Sequence, residues 1–247
     1  MTLEVRGLHV AYGAIRVLNG IDLTVGSGEI VALIGPNGAG KTSTLNSVAG
    51  LVPRGGGEVL LDGEPLPTDP EKVVRRGLAL VPQGRRIFPT MTVEENLFLG
   101  AYSQGGTWRD AKARFAPVYD VFPRLAERRR QTASSLSGGE QQMLVIGRAL
   151  LSEPTVMMID ELSLGLAPKL VMTLLDTISS LNAERGTAFL LVEQAAAAAL
   201  SIASSAYLLR RGEVVYSGSA ETLRSDTALL HEAYLGKKSA TATTGAF

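Results

Sequence analysis

Short runs of apolar and β-branched residues at 3–10, 21–25, 30–34 and 58–61 predict strands. Turn residues separate them, at Tyr12-Gly13, Gly26-Ser27-Gly28 and Arg54-Gly55-Gly56-Gly57. Between the third and fourth runs, the spacing of Leu45, Val48 and Ala49 predicts a helix over about 41–49, stopped by Gly50. A buried strand is predicted at 78–81, ending at Pro82. From about 88 to 151 the period turns helical, with segments near 93–101, 108–130 and 141–151. Strands return at 156–159 and 188–192 around a helix near 173–181, and 207–209 with 213–216 form a hairpin turning at Arg211-Gly212. Residues 237–247 read as a loose tail, and no internal repeat is visible. The pattern is that of an α/β core interrupted by a helical insert.

Composition narrows the range of chemistry. A chain of 247 residues, 45% hydrophobic, suits one large domain or a domain with a subdomain. The 24 basic residues balance 24 acidic ones, which argues against nucleic acid as a partner and against a polybasic membrane anchor. No cysteine is present, so disulfides, thiolate metal sites and a cysteine nucleophile are excluded. Two histidines, His9 and His231, are too few for a multi-histidine metal site. The first six residues lack the basic-then-apolar layout of a secretory signal. The uncharged stretch 195–209 is shorter than the roughly 20 apolar residues of a membrane span. The expectation is a soluble protein of cytoplasmic type.

Three motifs carry chemistry. Gly35-Pro36-Asn37-Gly38-Ala39-Gly40-Lys41-Thr42 matches G-x-x-x-x-G-K-[ST] between a predicted strand and a predicted helix. Glycines there let backbone N–H groups point at phosphate oxygens, Lys41 bridges the outer phosphates, and Thr42 offers a hydroxyl to Mg²⁺. Ser43 follows in the same helix start. The second motif, Val156-Met157-Met158-Ile159-Asp160-Glu161, is an apolar strand ending in two carboxylates. Ligands collect beyond such strand ends. Asp160 falls where Mg²⁺ needs an oxygen partner, and Glu161 where a water attacking the γ-phosphate is polarised. The third, Leu136-Ser137-Gly138-Gly139-Glu140-Gln141-Gln142, opens a helix with Ser137 as its cap and makes a second anion-binding terminus.

This order (phosphate loop, Gln83 after a strand, Leu-Ser-Gly-Gly-Glu, acidic strand) resembles the ATP-binding subunit of ABC transporters over nearly the whole chain. The resemblance implies a P-loop NTPase fold with a RecA-like α/β core and an antiparallel β subdomain (1–86 and 152–236), and a helical subdomain (87–151). It implies two such chains, identical or related, paired head to tail with ATP sandwiched between them. Ser137, Gly138 and Gly139 would then serve the partner's nucleotide. Tyr12 would stack on adenine, Gln83 would reach Mg²⁺ and couple to the permease, and Glu161 would be the catalytic base. Further stretches are similar to the branched-chain amino acid branch of these importers: 80–89, 91–97, 163–168 and Leu191-Val192-Glu193-Gln194. The implied setting is the cytoplasmic face of the inner membrane, on transmembrane permease subunits served by a solute-binding protein.

Departures from the family pattern bear on single positions. Gln194 stands where most relatives carry histidine; it can hydrogen-bond a γ-phosphate but cannot carry its proton at neutral pH. Leu162 replaces a usual proline, and Ala167 a frequent aspartate. Simpler roles are expected elsewhere: 195–199 as a helix packed on the core, Arg128-Arg129-Arg130 as a solvated helix end, and Trp108 with Phe115 on one buried helix face. Tyr12 has an alternative as turn packing beside Gly13. Two competing functions remain, a non-transport ABC ATPase of assembly, repair or translation, and a phosphoryl-transfer kinase using the phosphate loop alone.

Overall fold

A computed structural model describes residues 1–102, 105, 107–226, 230 and 234. The predicted tail at 237–247, and His231, lie outside them. Three strands are buried at every residue: β3 (Ile30–Ile34), β7 (Val156–Asp160) and β8 (Ala188–Glu193). Continuous burial of this kind requires cover on both faces, the condition under which parallel sheets form. Together with β6 (Leu78–Val81), β9 (Ser205–Arg210) and β10 (Glu213–Ser219) they make a six-stranded sheet ordered β10-β9-β3-β8-β7-β6. All its pairings are parallel except β9 with β10. That hairpin turns at Arg211 and Gly212, both at positive φ (49° and 81°), as the sequence predicts.

A second sheet, ordered β2-β1-β4-β5, is antiparallel: β1 (Leu3–Tyr12), β2 (Ile15–Val25), β4 (Gly56–Leu61) and β5 (Glu64–Pro65). β2 is longer than its apolar run, because pairing with β1 from Tyr12↔Ile15 onward imposes strand geometry on 15–20. The two-residue side-chain period divides the core. Met157, Ile159, Phe189 and Leu191 face a cluster built with the helices of the insert, whereas Val156, Met158, Leu190 and Val192 face one shared with the antiparallel sheet and α1 (Lys41–Val48).

The insert differs from expectation between 108 and 130. One helix was predicted; there are three, α4 (Trp108–Ala113), α5 (Ala116–Val121) and α6 (Pro123–Glu127), with Pro117 and Pro123 each in a first turn. Proline cannot extend a helix past itself but fits its start, so each begins a new segment. Trp108 and Phe115 therefore do not share a helix face. They meet edge to face across the break, ring centroids 6.3 Å apart, with Phe98 4.7 Å from Trp108. Arg128 is likewise not simply solvated: its Nε lies 2.9 Å from Glu140 Oε1, whereas Arg129 and Arg130 are exposed.

The helices α3 (Val93–Ala101) and α7 (Gly138–Leu150) cross closely. Short α2 (Pro70–Arg75), capped by Asp69, was not legible in a window of six residues. α8 (Pro168–Arg185) outruns its predicted core at both ends. α9 (Ala196–Leu200) is the alanine-rich helix packed on the core, with Ala199 and Leu200 fully buried, and α10 (Ala220–Ser225) follows the hairpin.

The α3–α7 crossing depends on two glycines. A Cβ on Gly100 would stand 2.0 Å from the Arg148 carbonyl oxygen, and one on Gly147 would stand 3.3 Å from Leu97 Cδ2 of α3 and 2.8 Å from Val118 Cγ1 of α5. Gly100→Val is expected to cost roughly 1–3 kcal/mol by overpacking. The urea midpoint measures this, and an unchanged midpoint would mean that the two helices separate freely.

Candidate functional site

The register of the buried strands sets the site. Ile34 pairs with Glu193 and Asp160 with Val192, so β3, β7 and β8 end level with one another. The chain emerging from these ends supplies Gly35, Glu161 and Gln194. After β3, Gly35, Gly38 and Gly40 all take positive φ (154°, 76° and 111°), which an L side chain resists. Space enforces the same choice at Gly35, where a Cβ would lie 2.2 Å from the Leu209 carbonyl oxygen. Gly40 caps α1 with no side-chain hydrogen bond, which leaves the first-turn N–H groups open to a ligand.

A cavity of about 390 Å³ opens over this turn, lined among others by Asn37, Lys41, Thr42, Gln83, Glu161 and Gln194. Lys41 is buried, and its Nζ donates to the carbonyl oxygens of Gly35 (2.8 Å) and Pro36 (3.2 Å) of its own loop. Burial lowers its pKa, opposed by Glu161, Asp160 and Glu193. Asp160 is buried at the end of β7. Burial drives its carboxyl above the ordinary range, against a hydrogen bond from Thr42; Glu161 adds to the rise and Lys41 opposes it. Asp160 Oδ1 has no hydrogen-bond partner, although it is fully buried. A carboxylate oxygen left bare inside a protein fits a cation completed by phosphate oxygens and water.

Glu161 sits at φ 52°, held by its N–H on the Val192 carbonyl (2.8 Å). Its Oε2 accepts a 2.6 Å hydrogen bond from Gln83 Nε2. Gln194 is exposed on the cavity wall. Tyr12, 47% exposed, reaches Ser43 Oγ at 3.4 Å, so its ring stands beside the start of α1 and is not spent on core packing. Among the lining residues of the cavity, Ser137, Gly138 and Gly139 are absent. They open α7, where Ser137 forms a capping box with Glu140: Glu140 N–H donates to Ser137 Oγ (3.3 Å), and Ser137 N–H to Glu140 Oε2 (2.9 Å). The Arg85 guanidinium lies against Gly138, about 3.0 Å from where a Cβ would be.

Sequence reasoning passed over three residues. Glu193, 4% exposed, accepts the N–H and hydroxyl of Ser163. A charged residue closing an apolar strand was the available signal, the same one that marked Asp160. Tyr234 donates its hydroxyl to the Gln194 carbonyl at 2.9 Å; nothing in its sequence neighbourhood announces that contact.

A phosphate loop and two carboxylates grouped beyond the carboxyl ends of adjacent parallel strands define a nucleotide-hydrolysing P-loop protein. The chain belongs to the ABC transporter family, whose model matches residues 18–163. It is 42% identical over 226 residues to the high-affinity branched-chain amino acid transport ATP-binding protein BraG of Pseudomonas aeruginosa, covering 91% of this chain and 95% of that one. It is 36% identical to the probable branched-chain amino acid transport ATP-binding protein LivF of Archaeoglobus fulgidus, covering 87% and 91%. Among solved structures, an ATP-binding subunit of an ABC transporter superposes with a TM-score of 0.81 at 32% identity, over 96% of this chain and 99% of that one. The protein is therefore an ABC ATPase with the expected nucleotide-binding fold. No helix among the described residues is long and apolar enough to cross a membrane.

The buried acids have a pH signature. Burial holds Glu193 above its ordinary pKa, with Ser163 opposing and the neighbouring Glu161 and Asp160 adding to the rise. The folded protein then binds a proton more readily than the unfolded chain. This contribution is fully present below the unfolded glutamate pKa and is lost as pH rises through the folded one. Glu193→Gln should flatten part of that limb in urea midpoints of the nucleotide-free protein between pH 4 and 8; an unchanged slope would exclude the effect.

Proposed function

We propose that this chain binds Mg²⁺-ATP in the cavity over Lys41 and hydrolyses it as one half of a head-to-tail pair, driving an amino acid importer. The observation that carries the reading is the split of the phosphate-binding parts. Lys41, Asp160 and Glu161 meet at one sheet edge, while Ser137-Gly138-Gly139 stand outside that cavity on α7. A second chain turned end for end would bring its own α7 terminus over the nucleotide. The two termini of a pair would then close two equivalent sites.

The residues divide the work by what they can reach. Gly35, Pro36, Asn37, Gly38, Ala39 and Gly40 wrap the phosphates with backbone N–H groups, and Ser43 stands at the helix start behind them. Lys41 leaves its resting carbonyls for the outer phosphate oxygens, exchanging neutral partners for charged ones. Thr42, the bare Asp160 oxygen and Gln83 would hold Mg²⁺, which would supply positive charge beside the phosphates. Glu161 accepts the proton of the attacking water, and the Gln83 amide aims its carboxylate until nucleotide arrives. Gln194 donates a hydrogen bond to the terminal phosphate without exchanging a proton. Tyr12 offers a ring face to the base.

Docking to a permease is supported by an apolar groove lined by α2, β6, α3 and α7. It holds about 500 Å³, and Phe88, Leu99 and Tyr102 stand exposed along it beside Val145 and Ala149. Large apolar side chains left in water at one groove mark a contact surface. The named relatives, BraG and LivF, support a branched-chain amino acid as the solute, delivered by a solute-binding protein, with the chain on the cytoplasmic face of the membrane. The division into a core at 1–86 and 152–236 and a helical subdomain at 87–151 follows the same reading: the groove runs along the seam between the two, with Val74, Ala79 and Leu80 on the core side, and the catalytic carboxylates belong to the core.

Glu161→Gln should trap the closed pair: light scattering is expected to give a dimer with ATP and a monomer without it. A monomer that binds ATP would assign the second half-site to a different chain, and loss of ATP binding would overturn the reading. Leu99→Glu is expected to release the chain from membranes containing its permease while leaving ATP affinity within about twofold, since charge in an apolar interface breaks docking alone. Retained membrane association would remove the groove from the interface.

A further inference from the structure

Glu193 is a charged side chain that the proposed chemistry leaves unused. It ends β8 and is 4% exposed. Both carboxylate oxygens terminate on one residue: Oε1 accepts the Ser163 backbone N–H at 2.9 Å, and Oε2 accepts the Ser163 hydroxyl at 2.7 Å. Ser163 in turn anchors a tight turn, with Leu164 N–H on the Glu161 carbonyl (3.3 Å) and Leu166 N–H on the Ser163 carbonyl (3.2 Å). Leu164 is exposed and lines the nucleotide cavity, as does Gln194, the residue directly after Glu193. Two walls of the cavity, from segments 30 residues apart, are thus joined by the Glu193–Ser163 pair, beside the backbone bond from Glu161 N–H to the Val192 carbonyl.

The choice of residue is informative. A carboxylate here is taken out of water beside Asp160 and Glu161, both of like charge. In return it grips two donors of one residue, fixing Ser163 in orientation as well as position. Such a link transmits displacement, whereas a single flexible hydrogen bond would absorb it.

We infer that Glu193 is a positioning residue that couples Gln194 to the loop 163–167, so that movement of Gln194 toward a bound terminal phosphate carries the Leu164 turn with it. The inference rests on the ATP site proposed above. It makes the loop a second reporter of nucleotide, set in motion by a residue that touches no substrate.

The test is steady-state ATPase activity of the chain assembled with its permease, paired with equilibrium ADP affinity. Glu193→Ala and Ser163→Ala should each lower kcat about tenfold, the scale of losing a positioned geometry, with KM and ADP affinity within about twofold. The double variant should be no worse than Glu193→Ala alone, because Ser163→Ala removes one of the two hydrogen bonds that Glu193→Ala removes together. Glu193→Gln should stay within about threefold of the parent, since its amide still bonds both Ser163 groups, accepting from one and donating to the other. Unchanged kcat, additive losses, affinity falling in step with kcat, or a glutamine variant as poor as alanine would each overturn the coupling. If Glu193→Ala does not fold, Ser163→Ala against Ser163→Thr decides: threonine restores the hydroxyl and is expected to restore kcat, and failure to do so overturns the link. An unsubstituted chain that neither binds nor hydrolyses ATP would instead sink the functional reading, and the inference with it.

Discussion

Three strands buried on both faces leave no room for polar side chains along their length, and everything else about this molecule follows from that constraint. β3, β7 and β8 present apolar residues to two cores at once, so charge can enter only where the strands stop. Because their register is level, they stop together. Asp160, Glu161 and Glu193 are brought close around Lys41, and the crowding is itself costly: Asp160 and Glu193 are held above their ordinary range by burial, and Lys41 below its own. A site with one cation for three carboxylates is poised to take up positive charge together with phosphate.

The helical insert relates to this edge through few contacts. Gln83 touches Glu161 from the segment that leads into the insert, and Arg85 and Arg86, both at positive φ, follow it immediately. Arg148 of α7 then donates to the Arg86 carbonyl at 2.8 Å and stacks over Phe88, its guanidinium carbon 5.4 Å from the ring centre. The path from carboxylate to groove is therefore a short chain of polar contacts between 83 and 88, tied to α7. The apolar groove lies at its far end.

Much of this was legible in the chain. The phosphate loop, the acidic strand end and the Ser-Gly-Gly helix start are local patterns whose chemistry requires a fixed spacing, and the structure puts each on the predicted element. What stayed hidden depends on partners distant in sequence. The first half of β2 is a strand because β1 is beside it, not because 15–20 alternate strongly. The break of 108–130 into three helices was readable from Pro117 and Pro123, but the apolar period there outweighed them. Glu193 stood one residue beyond the predicted strand 188–192, within a stretch similar to the family, and its role emerges only where Ser163 closes on it. Tyr234 is tied to Gln194 across 40 residues, a contact that no local pattern encodes.

The alternation of side chains along β7 has a bearing on how such a chain drifts over generations. Met157 and Ile159 are read by one core, Val156 and Met158 by the other. A change of volume at one position is felt first by the neighbours on its own side of the sheet. Substitutions on the helical side are therefore met first by the insert, and those on the other side by α1 and the antiparallel sheet. One sheet thus serves two packing problems, each with its own set of side chains.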